Sequence, residues 1–287
     1  MPKEVIITTD STVDLSPELI DRFSIEIVPL YVEMDGTAYR DGLDVQPQAL
    51  YDYYARTGKL ARSSAANIED YAALFQRLTS AGKAVVHINI SSEMSSTHQN
   101  AAIAAEEMED VYVVDSRNLS TGIGLVVVHA AEMARQGLPA SEIARRAAEL
   151  TERVDASFVI DTLDYLRAGG RCSAVAAFGA NLLKIKPSIQ VFQGVMGVSK
   201  KYRGALNAAQ QRYVSDKLAD LDDIDPGWVF ITHSGIPQDM EDAVLRQVKD
   251  FGFFKEIHVT HAGCVISAHC GPGTMGVLFV RKSPLKK

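Results

Sequence analysis

The stretch from Ala84 to Glu107 constrains this chain more than any other. An apolar run, Ala84-Val85-Val86-His87-Ile88-Asn89-Ile90, leads into Ser91-Ser92-Glu93-Met94-Ser95-Ser96-Thr97, and Ala101, Ala102, Ile103, Ala104 and Ala105 then read as a helix. Such a junction belongs to an α/β sheet, where it lies beyond the strand's carboxyl end and the N–H groups of the next helix meet the ligand crevice. Serines and a threonine gathered there hold an anion without adding charge.

The arrangement recurs. Strand 5–8 runs into Asp10-Ser11-Thr12, strand 111–114 into Asp115-Ser116, and strand 228–232 into His233-Ser234-Gly235, while Ser63-Ser64 precede a helical stretch at 68–78. A helix cap accounts for any single one of these residues. Ser92, Ser95, Ser96 and Thr97 together exceed what one cap needs, and they favour an anion-binding crevice.

Up to about Val154, strands alternate with amphipathic helices at 16–23, 47–56, 68–78, 97–108, 121–135 and 141–153, the pattern of a largely parallel sheet with helices on both faces. The second half reads differently. It has a strand at 157–160, a short helix from Thr162 that Gly169-Gly170 stops, a small-residue helix at 175–183, and a hairpin of 189–192 with 195–200 around Gln193-Gly194. Helices at 205–221 and 240–248 and strands at 257–260, 265–268 and 277–281 follow. The expectation is an α/β protein of two domains: a parallel-sheet, Rossmann-like domain over 1–154 and an α+β domain with a mixed sheet over 155–287, closing on one ligand cleft. A chain of 287 residues suits two domains of ordinary size.

Composition excludes several classes. The chain has 36 acidic and 29 basic residues, a formal charge of -7, and no basic stripe of the kind a nucleic-acid binder needs. No signal peptide and no membrane-spanning run is visible, so cytoplasmic residence is expected. Cys172, Cys264 and Cys270 are an odd number at spacings that give no disulfide framework. Gly271-Pro272-Gly273-Thr274-Met275-Gly276 fits a dinucleotide fingerprint formally but precedes a strand rather than a helix, and neither a P-loop nor a nucleophile elbow occurs. No cofactor is therefore expected. His258, His261, Cys264, His269 and Cys270 crowd one stretch, but on an extended strand His258 and His261 diverge, so the spacing does not favour a metal.

Three features have two readings. His269 sits in a glycine-rich turn and either reaches the cleft or is structural. Gly169-Gly170-Arg171 is either a helix cap with a surface arginine, or a bare approach that turns a guanidinium toward an anion. Lys184, Lys186, Lys200, Lys201 and Arg203 form either a solvated face or a docking surface.

Taken in order, several segments resemble the DegV family of bacterial fatty-acid-binding proteins, over essentially the whole chain. Thr9-Asp10-Ser11-Thr12-Val13-Asp14-Leu15 is similar to the family's opening D-S-T/S-x-D-L, and Val28-Pro29-Leu30 and Tyr39-Arg40-Asp41 follow. Arg62-Ser63-Ser64-Ala65-Ala66 stands where the family has K-T-S-Q-P, and Ile90 to Thr97 where it has I-S-S-x-L-S-G-T. Asp161-Thr162-Leu163-Asp164-Tyr165-Leu166 with Gly169-Gly170-Arg171 resembles D-T-L-x-Y-L-x-x-G-G-R. Lys186-Pro187 comes next, and His269-Cys270-Gly271-Pro272-Gly273 resembles H-T-G-P-G.

The resemblance implies a carrier without catalysis of its own. Such a protein holds a long-chain fatty acid, palmitate or oleate for example, in an apolar tunnel with the carboxylate at the interdomain cleft. It presents the acid to a separate ATP-dependent fatty acid kinase subunit, and the acyl-phosphate goes to an acyltransferase of phospholipid synthesis. By position, Ser63 and Ser95 would bind the carboxylate, beside Ser64, Arg171 and His269, with Asp10, Ser11, Ser92, Ser96, Thr97 and Gly271 supporting the cleft. Ser63 for threonine keeps the hydroxyl. Ala65-Ala66 for glutamine and proline, Ser96 for glycine and Cys270 for threonine bear on which ligand is accepted. The rival readings are a hydrolase or phosphotransferase using Ser95 with His269 as base, and a sensor of a non-lipid small molecule.

Overall fold

The computed structural model describes residues 3–171 and 185–286. The expected helix at 175–183, Lys184 and Cys172 lie outside them. The strand at the centre of the first half, β6 (Ala84–Asn89), is buried at all six positions, as a parallel strand covered on both faces must be. It lies between β1 (Val5–Asp10) and β7 (Val111–Asp115), and β2 (Glu26–Val28) completes a four-stranded parallel sheet in the order β2-β1-β6-β7. Helices α1 (Pro17–Phe23), α3 (Ile68–Ser80), α4 (Thr97–Ala105), α5 (Thr121–Arg135) and α6 (Ala140–Thr151) connect or flank these strands.

The second sheet is mixed, in the order β11-β10-β9-β14-β12-β13, with β8 paired to β14. Its strands are β8 (Val154–Asp155), β9 (Ser157–Val159), β10 (Ile185–Phe192), β11 (Val195–Arg203), β12 (Ile224–His233), β13 (Glu256–His261) and β14 (Met275–Arg281). Only β12 and β13 run parallel. Gln193 and Gly194 join β10 to β11 with φ of 49° and 85°, so the expected hairpin closes through the left-handed turn that suits strand twist. Helices α8 (Leu206–Lys217) and α9 (Gln238–Asp250) cover the outer face over Tyr213, Val214, Val244 and Val248.

Helix α5 is the shared layer. One buried cluster runs from Ile7 and Ile88 of the parallel sheet, through Val126 and Val127 of α5, to Phe230 and Leu278 of the mixed sheet. Glycine lets the helix come this close: a Cβ at Gly124 would stand 2.8 Å from Leu15 Cδ2, and one at Gly122 2.8 Å from Asn118 Oδ1. Each fully buried valine or leucine in this layer contributes about 1.5–3 kcal/mol, so α5 ties the two sheets together.

Two expectations are corrected. Between β2 and α3 the chain does not simply alternate. It forms a small antiparallel sheet, β4-β3-β5, from β3 (Tyr31–Met34), β4 (Thr37–Arg40) and β5 (Arg62–Ser64), with α2 (Pro47–Thr57) between the last two. Ser63 and Ser64 are therefore strand residues. The expected strand at 265–268 is instead helix α10 (Cys264–Cys270). Val265 and Ile266 are β-branched and read as strand formers, but carboxylates from the other half of the molecule cap this helix. Asp14 accepts the Gly263 N–H at 2.8 Å, and Asp41 accepts those of Cys264 and Val265 at 2.7 and 3.3 Å.

Candidate functional site

Ser63, Ser64, Ser95, Arg171 and His269 come together on the wall of one chamber of about 260 Å³, with Ser96 beside them. Four elements deliver them. Strand β5 presents Ser63 and Ser64, the loop from β6 to α4 presents Ser95 and Ser96, and α10 brings His269. Helix α7 (Asp164–Gly169) ends in a left-handed cap at Gly170, φ 66°, and releases the chain at Arg171. Arg171 donates to the Gly169 carbonyl at 2.7 Å, and its Nε lies 3.5 Å from the Met94 carbonyl, so the guanidinium bridges α7 and the hydroxyl loop.

His269 occupies the next-to-last position of α10, a helix rather than the expected turn. Its Nε2 lies 2.7 Å from Ser63 Oγ, while Nδ1 is buried without a partner among the described residues. Burial, and secondarily the charge of Arg171, push the imidazole down to about 4, so it is neutral near pH 7. A proton on Nε2 leaves only a bare lone pair unpartnered at Nδ1, and that tautomer frees the Ser63 hydroxyl hydrogen for an anion in the chamber. The ring fits only because residue 169 is glycine. A Cβ there would meet Nδ1 far inside contact distance and Cε1 at 2.9 Å.

Ser95 does not pair with His269. Its Oγ lies 2.7 Å from Thr97 Oγ1 and accepts the Thr97 N–H at 3.2 Å. The Ser95–His269 nucleophile and base of the rival hydrolase reading are thus not formed, and Ser63–His269 has no third described group to orient the base, as a hydrolytic triad requires.

Other residues expected at the cleft stand behind this wall. Asp10 accepts the N–H groups of Thr12 at 2.9 Å and Ile90 at 2.8 Å, which fixes the end of β1 to the end of β6. Ser11 donates to Asp41 and accepts the Leu30 N–H, both at 3.0 Å, so it braces the carboxylate that caps α10. Ser92 is exposed and turns outward to Asp115 at 2.6 Å. Thr97 is buried beneath Ser95. Gly271 holds φ at 70° where a Cβ would strike the Tyr165 ring at 2.5 Å.

The chamber has two continuations. Outward, Ser63, Arg171 and His269 also border an open groove of about 800 Å³ between Tyr54, Arg62 and Gly169. Inward, Leu119, Met196, Ile266 and His269 also line a chamber of about 50 Å³ walled by Phe158, Leu166 and Leu278. The hydroxyls that line it are already engaged: Ser120 with Asp14, Thr232 with Thr121 and Thr260, Ser234 with the Gly271 carbonyl, and Thr274 with the Cys270 carbonyl. The inner chamber therefore presents an apolar surface.

The metal reading also changes. His258 stacks on Trp228, with ring centroids 5.2 Å apart, and pairs with Glu256, whereas His261 meets His233 and Glu241 with ligand atoms all within 4.8 Å. Sequence spacing missed this cluster because two neighbouring strand ends and a helix supply it. Both ring nitrogens of His233 are already used, Nε2 toward Glu241 at 2.9 Å and Nδ1 by the Gly235 N–H at 3.2 Å.

Fold and site together define a class: packed parallel and mixed sheets with a hydroxyl-lined chamber that shares a wall with an apolar one. The chain belongs to the DegV family, whose model, described as that of an uncharacterised protein, matches residues 4–282. It is 30% identical over 284 residues to a DegV domain-containing protein of Caldanaerobacter subterraneus, covering 98% of this chain and 100% of that one. Among solved structures it is similar to a DegV family protein of Thermus thermophilus described by its fatty acid binding, with TM-score 0.89, 28% identity, and coverage of 98% and 100%. It is also similar to a stearic acid-binding protein of Eubacterium ventriosum, with TM-score 0.84, 26% identity, and coverage of 98% and 99%. Among the described residues, no helix is long and apolar enough to cross a membrane.

Proposed function

We propose that this protein binds a long-chain fatty acid, with its carboxylate among Ser63, Ser64, Ser95, Arg171 and His269 and its tail directed inward past Leu119, Met196 and Ile266. It presents the acid to a separate ATP-dependent kinase subunit through the outer groove, and an acyltransferase of phospholipid synthesis uses the resulting acyl-phosphate. The chain contributes binding and orientation in the cytoplasm, and the chemistry is the kinase's. The division at residues 154 and 155 belongs to the same proposal, with the ligand between the two units.

One observation carries the reading: a chamber lined by serine hydroxyls and one guanidinium shares its inner wall with an apolar chamber. The donors suit a carboxylate, because serine hydroxyls and one guanidinium satisfy an anion while the neutral imidazole orients Ser63. The apolar chamber suits a tail, since each buried methylene contributes about 0.8 kcal/mol. A cavity of about 150 Å³ takes a benzene. The inner chamber, at about 50 Å³, is smaller, so a long tail enters it only by displacing side chains.

The test is solvent extraction and native mass spectrometry of protein purified from a bacterial host. About one fatty acid per chain is expected, together with a rise in melting temperature when palmitate or oleate is added to delipidated protein. A chain that carries no lipid and gives no thermal response to either acid overturns the proposal.

A further inference from the structure

Whether Ser95 helps or hinders an anion in the chamber depends on where its hydroxyl hydrogen points, because the backbone that carries it is fixed. The N–H groups of Met94 and Ser95 both donate to the Ser91 carbonyl, at 2.9 and 3.2 Å, and Ser91 Oγ in turn donates to the Gly194 carbonyl of the hairpin tip at 2.8 Å. Only glycine fits at residue 194. Its φ is 85°, and a Cβ would stand 2.7 Å from Ser91 Oγ.

The hydrogen's direction is set one layer below the chamber. Thr97 opens α4, is fully buried, and its Oγ1 makes one hydrogen bond among the described residues, to Ser95 Oγ at 2.7 Å. Beside Thr97, on α3, lies the Tyr71 hydroxyl, which is buried and has no hydrogen-bond partner among the described residues. Each of these hydroxyls has a single hydrogen, so the row can donate in one of two directions. Inward, Ser95 donates to Thr97 and Thr97 toward Tyr71, and the last hydrogen is buried on Tyr71 with nothing to accept it, at the full cost of its desolvation. Outward, Tyr71 donates toward Thr97 and Thr97 to Ser95, and the last hydrogen leaves Ser95 for the chamber, where a carboxylate accepts it. Ser95 Oγ also accepts the Thr97 N–H at 3.2 Å, so in the outward arrangement both its lone pairs are engaged and it faces the chamber as a donor only.

We infer that Thr97, backed by Tyr71, is a positioning residue of this site: it holds the Ser95 hydroxyl with its hydrogen turned into the chamber, toward the ligand's carboxylate. The inference rests on the fatty-acid reading above. Neither Thr97 nor Tyr71 lines the chamber, so what they do for the ligand passes through Ser95. Taking away the Thr97 hydroxyl leaves Ser95 in place but frees its hydrogen to turn away from the anion.

The experiment titrates delipidated wild type, Thr97→Val, Thr97→Ser and Tyr71→Phe with palmitate, each also in a Ser95→Ala background, beside thermal melts of every variant. Thr97→Val keeps the branched shape without the hydroxyl and is expected to bind palmitate about tenfold more weakly than wild type. Thr97→Ser restores the hydroxyl and stays within about twofold of wild type. Tyr71→Phe removes the rear donor and weakens binding about threefold. In the Ser95→Ala background, Thr97→Val and Tyr71→Phe each change affinity by about twofold or less, whereas a merely structural role weakens binding equally in both backgrounds. If Thr97→Val does not fold, Tyr71→Phe reads the same row from its far end. Wild-type affinity in either variant, failure of Thr97→Ser to restore binding, or losses of equal size with and without Ser95 overturn the positioning role and leave the fatty-acid reading intact. Failure of wild type to bind palmitate removes both.

Discussion

Replacing Gly169 by alanine sets two effects of opposite sign against each other. Residue 169 closes α7, where alanine is the better helix former by about 0.5–1 kcal/mol. The new methyl would overlap His269 Nδ1 and approach Cε1 to 2.9 Å. The imidazole has nowhere to retreat, because it is buried and its other face holds Ser63, so overpacking of about 1–3 kcal/mol is expected together with loss of a hydrogen bond worth about 1 kcal/mol. The steric effect wins: Gly169→Ala should destabilise the fold by roughly 1–3 kcal/mol and weaken fatty-acid affinity about tenfold or more. Urea denaturation and palmitate titration measure both. The decisive control is the same change in a His269→Ala background. With the ring gone, the helix effect alone remains and Gly169→Ala turns stabilising by about 0.5–1 kcal/mol. Equal destabilisation in both backgrounds would refute the argument that this glycine exists to admit the imidazole.

Ser95→Ala and Ser63→Ala should each weaken fatty-acid binding by about 1.5–3 kcal/mol, roughly 10-fold to 150-fold by titration, while melts shift little; unchanged affinity in both would remove the carboxylate site. Gly194→Ala should cost about 1–3 kcal/mol of stability in urea, because φ of 85° and the Ser91 contact both oppose a side chain. Stability should also depend on pH through His269. Its folded pKa, about 4, lies below the ordinary value of 6.5, so the stability it confers is present above pH 6.5 and is lost as pH falls toward 4. At one unit below 6.5 the loss is about 1.4 kcal/mol, and the curve of urea midpoint against pH should be flatter by that amount in His269→Gln.

The elements legible in the sequence are those whose cause is local. The mostly apolar run of β6, the long small-residue pattern of α5 and the Gln193-Gly194 turn carry their own signals in period and backbone preference. Helix α10 does not, because its N-terminal partners, Asp14 and Asp41, lie more than two hundred residues away in sequence. The same holds for the site. A burst of hydroxyls announced an anion crevice, but period and spacing cannot say that His269 chooses Ser63 over Ser95, nor that Asp10 and Ser11 brace while Ser95 faces the chamber. Those choices are made by chain crossings, as is the meeting of His233, Glu241 and His261.

The capping of α10 by carboxylates from the other end of the chain also sets when this pocket can exist. A ribosome releases Ser63 and Ser95 early, and the N-terminal part of a chain generally folds first during synthesis. His269 follows much later, and its helix is capped by Asp14 and Asp41, which are made long before it. A chain that has not yet reached α10 thus has the hydroxyls but not the imidazole wall. A formed pocket marks a chain whose two distant segments have already met.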